Sequence, residues 1–148
     1  MKIIDMKTKL NFKKLISNTL IALFILTVSS ELIAQEKKAN DLKSFKIVIE
    51  KTDKGINMQS VEGTAWIDLS FNLKNDQTQA IDQYGMTELN KVSSNKDSNL
   101  ADFLFTITKT DSGIKLKGIK GTAWIDLSFS LIKNKKQAFD QYGVTILN

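Results

Sequence analysis

The chain of 148 residues has no cysteine, no histidine, no proline and no arginine. Without cysteine there is no disulfide and no thiolate metal site. Without histidine the chain lacks the side chain best suited to moving protons near neutral pH, which is also the commonest metal ligand. All 21 basic residues are lysine, so the planar fork that reads phosphate and carboxylate in bidentate fashion is missing. These absences weigh against an enzyme, a bound cofactor, a metal site and a nucleic-acid partner. The absence of proline fits a Lys/Asn/Ile-biased residue usage and carries no structural message.

The net charge of +5 is mostly a property of the N-terminus. Lys7, Lys9, Lys13 and Lys14 precede a mostly apolar run from Leu15 to Val28, followed by Ser29, Ser30 and a small-residue end at Ala34. A basic start, a short apolar stretch and small residues at its close describe a secretory signal peptide over residues 1–34. Cleavage is expected after Ala34, with Ser30 as the alternative and Met6 as a possible true start. The run is shorter than the ~20 residues a membrane span requires, so an uncleaved anchor is the weaker alternative. Residues 1–34 hold five lysines and two acids, which leaves the rest at +2. A periplasmic or secreted protein follows, with no membrane association after cleavage.

Beyond a short lead at 35–44, the remainder is a duplication. Phe45 to Asn90 aligns without gaps on Phe103 to Asn148 at an offset of 58 residues, with 26 of 46 positions identical. The shared blocks are Gly63-Thr-Ala-Trp-Ile-Asp-Leu-Ser-Phe71 with Gly121–Phe129, Asp82-Gln-Tyr-Gly85 with Asp140–Gly143, and Lys51-Thr-Asp53 with Lys109–Asp111. The Ser/Asn-rich stretch within 91–102 reads as a linker.

Inside each repeat the period is two, the mark of half-buried strands. Phe45, Ile47 and Ile49 alternate with Lys46, Val48 and Glu50, and Phe103, Phe105 and Ile107 with Leu104, Thr106 and Thr108. Asp53-Lys54-Gly55 and Asp111-Ser112-Gly113 supply a hairpin turn, with glycine expected at positive φ. A slip of alternation near Ser60 and Gly118 suggests a bulge. The third strand is expected from Gly63 to Leu73, with Ala65, Ile67, Leu69, Phe71 and Leu73 facing the core, and its counterpart from Gly121 to Leu131. A fourth runs through 79–89 and 137–147, kinked at Gly85 and Gly143. Each repeat therefore reads as a four-stranded antiparallel meander. Forty-six residues without a staple bury too little surface to stand comfortably alone. The expectation is all-β: two tandem meanders packed as one eight-stranded sandwich or barrel with pseudo-two-fold symmetry, as a monomer or a strand-swapped dimer. Repeat one carries four lysines against seven acids and repeat two seven against three; contact between halves of opposite sign and simple drift both account for this.

The same alternation puts Trp66 with Asp68 and Ser70, and Trp124 with Asp126 and Ser128, on the face opposite the core. A Trp beside a carboxylate and a hydroxyl is a platform for stacking and hydrogen bonding. Tyr84 and Tyr142 belong to the second repeated constellation. These eight residues are the candidate ligand site, for a glycan, a peptide or a protein partner. The competing reading is packing: Trp covers a second layer, and Asp-Gln-Tyr-Gly is a turn capped by its Asp. Catalysis would need paired carboxylates, Asp68 with Asp126 or Asp82 with Asp140, meeting between the repeats, but the Asp-Thr-Gly turn of a dimeric aspartic protease is missing. Asp53 and Asp111 sit in turns too sparse in oxygen for a calcium loop.

The combination Gly-Thr-Ala-Trp-x-x-Leu-Ser-Phe (63–71, 121–129) with Gln-Ala-(Ile/Phe)-Asp-Gln-Tyr-Gly-(Met/Val)-Thr (79–87, 137–145) resembles a group of small uncharacterised secreted proteins from Flavobacterium-like bacteria (Bacteroidota). The Ile-Ala-Gln close of the signal peptide fits that lineage. The resemblance implies a lineage and a compartment, not a reaction. Some members of that group carry a cysteine near the Gly63-Thr64 or Gly121-Thr122 positions, and chemistry resting on it does not carry over to this chain. The expected function is an exported envelope or secreted binding or structural module. An inhibitor or immunity-type protein is the alternative, and an Asp-dependent hydrolase a distant third.

Overall fold

The structure is a computed structural model describing residues 41–91 and 97–147; the signal-peptide expectation lies outside the described residues. Those residues are all-β, with ten strands and no helix among them. Repeat one forms β1 (Lys46–Lys51), β2 (Gly55–Glu62), β3 (Asp68–Asn72), β4 (Thr78–Asp82) and β5 (Gly85–Thr87). Repeat two forms β6 (Leu104–Lys109), β7 (Gly113–Lys120), β8 (Asp126–Ser130), β9 (Lys136–Asp140) and β10 (Gly143–Thr145).

The strands make two five-stranded antiparallel sheets, ordered β10-β9-β1-β2-β3 and β5-β4-β6-β7-β8. Neither repeat is a self-contained meander, and the sheets do not close into a barrel. Each repeat places three strands in one sheet and its terminal hairpin in the other. The joints are the β1–β9 ladder, from Lys46↔Asp140 to Glu50↔Lys136, and the β4–β6 ladder, from Thr78↔Thr108 to Asp82↔Leu104. The expected fourth strand is two strands because Gly85 and Gly143, at φ 121° and 138°, close two-residue turns that fold it back on itself.

The crossing from sheet to sheet is set at the turn after β3 and after β8. Asp76 and Asn134 adopt left-handed φ of 63° and 59°, a conformation that short polar side chains tolerate. The Asp76 backbone N–H donates to Lys109 O at 2.8 Å, and that of Asn134 to Lys51 O at 2.9 Å. Each turn is thereby moored to the far sheet, and the following strand joins the ladder there.

The alternation assigned the core correctly in β1, β2, β6 and β7. Phe45, Ile47, Ile49, Ile56 and Met58 meet Phe103, Phe105, Ile107, Ile114 and Leu116 in one buried cluster with Ile81 and Phe139. Phe45 lies 4.5 Å from Phe103, ring centre to ring centre, and Phe139 packs edge-on to Phe105 at 5.5 Å. The bulges fall where expected: Ile47 pairs with Ser60 while Lys46 pairs with Glu62, and Phe105 with Gly118 while Leu104 pairs with Lys120. The hairpin glycines have a different role from the expected one. Gly55 and Gly113 are not at positive φ; a Cβ there would collide with the Phe71 or Phe129 carbonyl oxygen of the next strand. The stretch read as a linker ends inside the core, where Ala101 is buried and donates its N–H to Gly63 O at 2.9 Å.

Candidate functional site

The eight candidate residues, six from strand alternation and Tyr84 and Tyr142 from the repeated Asp-Gln-Tyr-Gly motif, are not assembled into one platform. The third strand starts at Asp68 rather than Gly63, and its counterpart at Asp126. Residues 64–67 form a connection that is still held to β2 at its end, where Ser60 N–H donates to Ile67 O at 2.8 Å, but turns to the other sheet before it: Ala65 N–H donates to Gln83 O at 2.8 Å, and Ala123 N–H to Gln141 O at 2.7 Å. The period of two therefore breaks before Trp66, and Ala65 and Ile67 are exposed rather than core. Both indoles turn inward. Trp124 is 8% exposed and lies 6.0 Å from the Phe105 ring; Trp66 is half-buried against the same cluster. Each ring N–H donates to a backbone oxygen of the repeat's own terminal hairpin, Trp66 to Asp82 O at 3.2 Å and Trp124 to Asp140 O at 2.9 Å.

The two repeated motifs thus make one construction. The Gly-Thr-Ala-Trp connection of one sheet holds the Asp-Gln-Tyr-Gly turn of the other. Asp82 accepts the Tyr84 N–H at 2.8 Å; Asp140 accepts those of Tyr142 and Gly143 at 2.7 and 3.1 Å. Gln141 is buried and its Oε1 accepts the Phe45 N–H at 3.1 Å. Gln79 and Gln137 donate to Thr87 O and Thr145 O, fastening the short edge strands. These groups are occupied in holding two layers together, which is the packing reading of both motifs.

Asp68, Ser70, Asp126 and Ser128 lie exposed on the outer side of the edge strands β3 and β8. Asp68 and Ser70 line a shallow polar groove of about 300 Å³ with Glu50, Asn57, Gln59 and Lys136, without the Trp. Tyr84 and Tyr142 sit in the hairpin turns, both exposed. The carboxylate pairs considered for hydrolysis belong to different sheets, and Asp82 and Asp140 are each engaged by their own turn. Among the described residues no three acids, as a group, are placed to hold a metal ion.

A larger concavity lies at the other end of the sheets, where the β1–β2 and β6–β7 hairpins meet the turns after β3 and β8. It is a cleft of about 960 Å³, and both repeats build it. Its floor includes the buried Leu73 and Leu131, and the exposed Ile132 lies at its edge. Five lysines line it, Lys51, Lys54, Lys74, Lys109 and Lys133, against two acids, Asp53 and Asp111.

Lys51 and Lys109 are the least ordinary of these. They continue the core-facing parity of β1 and β6 and are buried, at 8% and 5% exposure. Lys51 Nζ donates to Thr110 O at 2.8 Å and Asp111 O at 2.5 Å; Lys109 Nζ donates to Asp53 O at 2.8 Å. Each ammonium reaches across to the hairpin of the other repeat, and the acceptors are neutral carbonyls. The acids of the cleft are engaged differently. Asp53 pairs with Lys133 at 2.5 Å, and Asp111 accepts the Asn75 side-chain amide. The repeated Lys51-Thr-Asp53 block marks these positions in the sequence, where Asp53 reads as a turn residue and Lys51 and Lys109 carry no assigned role. The signal was present: two steps on from Ile49 and from Ile107, the core face is a lysine.

The chain matches no protein-family model, no curated protein and no solved structure.

Proposed function

We propose that the chain is an exported binding module of the cell envelope or its surroundings, and that it recognises its ligand without covalent chemistry in the cleft at the hairpin end. One observation carries this reading: a cleft of about 960 Å³ lies where both repeats contribute equivalent positions, 51 with 109, 53 with 111 and 73 with 131. Its volume is of the order that small ligands and short segments occupy, ~300–1,000 Å³. In this reading the duplication supplies the two walls, related by a pseudo-two-fold axis. The unmatched pairs, Lys54 with Ser112, Lys74 with Ile132 and Asn75 with Lys133, make the walls unequal enough to fix a ligand's direction.

The signal-peptide pattern supports export, and the repeated motif supports a Flavobacterium-like origin. The missing histidine and cysteine favour binding over catalysis. A role as an inhibitor or immunity-type protein fits the same cleft if the ligand belongs to a partner enzyme. The test is a binding screen with amide-shift mapping on the folded chain. Ligands are expected to shift residues 51–54, 72–75, 109–112 and 131–133 first. Shifts confined to the Trp66 and Trp124 ends, or turnover of a substrate, would overturn the reading.

A further inference from the structure

We infer that the cleft takes an acidic peptide segment, with carboxylates held by Lys51 and Lys109 and an aliphatic side chain between them on Leu73 and Leu131. The inference rests on the binding reading above and names the ligand class.

A buried ammonium carries a desolvation cost that a nearby anion offsets far better than a neutral dipole. Lys51 and Lys109 are both nearly removed from solvent, yet the described ion pairs are Lys133–Asp53 and Lys120–Asp102, neither of which uses them. Carbonyl oxygens satisfy their N–H donors but leave the net charge in place. Lys54 and Lys74 add to it at the rim, Lys133 is already paired with Asp53, and the Asp111 carboxylate, which accepts the Asn75 amide, offsets one charge, so the lining stays net positive. The summed field of such a concavity favours an anion.

Three features narrow the anion to a peptide. The lining includes no aromatic ring, so a sugar has no face to stack on; the apolar surface is aliphatic, from Leu73, Leu131 and Ile132. The two least solvated charges lie in a concave floor rather than on a protruding rim, out of reach of a flat layer of lipid headgroups. Lysine, a point charge, serves carboxylate and phosphate alike, but the aliphatic surface of Leu73, Leu131 and Ile132 beside the charges is left uncovered by a free phosphate and is filled by the apolar side chain of a peptide. A segment alternating acidic and aliphatic residues meets both the charge and the floor.

The test uses the full exported chain and a fluorescein-labelled probe alternating Glu and Leu, with its Gln-for-Glu isostere, by anisotropy at 50 and 300 mM salt. The acidic probe should bind saturably, weaken at high salt, and exceed the isostere at least tenfold. Lys54→Glu with Lys74→Glu, both on exposed positions, should weaken it about tenfold without altering the melting temperature by more than a few degrees. Lys51→Met should abolish binding; if that variant does not fold, the rim pair decides. Equal binding of the isostere, or no loss in the rim variant, overturns the acidic class while leaving the cleft as a site. Shifts mapped away from the cleft overturn the site itself. Preferential binding of a polyuronate or of anionic vesicles over the acidic probe also overturns the inference.

Discussion

Replacing Trp124 with alanine removes a ring that is 8% exposed, in contact with Phe105 and Phe139, and bonded through its N–H to Asp140 O. Truncating a buried aromatic residue costs about 3–5 kcal/mol, and the carbonyl left without its donor adds about 1 kcal/mol. The loss is therefore about 4–6 kcal/mol, a large share of the roughly 5–15 kcal/mol that holds a domain folded. In melting temperature it corresponds to a fall on the order of 15–25 °C. Trp66 holds the equivalent position but is only half-buried, with a longer bond of 3.2 Å to Asp82 O. Its truncation should cost roughly half as much, about 2 kcal/mol. Urea unfolding followed by far-ultraviolet circular dichroism measures both. The packing account requires the order Trp124 above Trp66, and Trp124→Phe to cost only about 1–2 kcal/mol, mostly the hydrogen bond. If Trp124→Ala lost less than about 1 kcal/mol, or if the Trp66 variant were the worse, the inward-facing indole would not be holding the layers together.

Asp140→Ala removes the acceptor of two turn N–H groups and should lower stability by about 1–2 kcal/mol, in the range of a lost cap, as read by the urea midpoint. Gly55→Ala places a methyl group against the Phe71 carbonyl; β3 must move, and a loss of at least about 2 kcal/mol is expected, with wild-type stability counting against the close approach. Lys133→Ala breaks an ion pair whose side chains are 51% and 71% exposed, so the change should stay under about 1 kcal/mol and shrink further at 300 mM salt.

Much of the architecture was legible in the sequence because period-two alternation reports which side of a strand is buried. It located the core of β1, β2, β6 and β7 and the bulges near Ser60 and Gly118. Alternation does not report which sheet a strand joins. Thr78–Asp82 reads the same whether it pairs with β3 or with β6, and the choice is made by the backbone bond from Asp76 to Lys109, which no side-chain pattern records. Gly-Thr-Ala-Trp misled for a related reason. Its residues alternate by composition, but their N–H groups bond to the next turn instead of to a strand, so the Trp faces reversed. The cleft was only partly visible. Lys51 and Lys109 stand on core-facing positions, which is anomalous for lysine, but the partners that make them a pair are hairpin carbonyls of the other repeat.

The repeats complete each other's sheets. A protease site placed between residues 91 and 97 tests this, with sedimentation velocity before and after cutting. The β1–β9 and β4–β6 ladders predict that the cut halves sediment together as one folded particle and part only on denaturation. Two separate, folded monomers after cutting would contradict it.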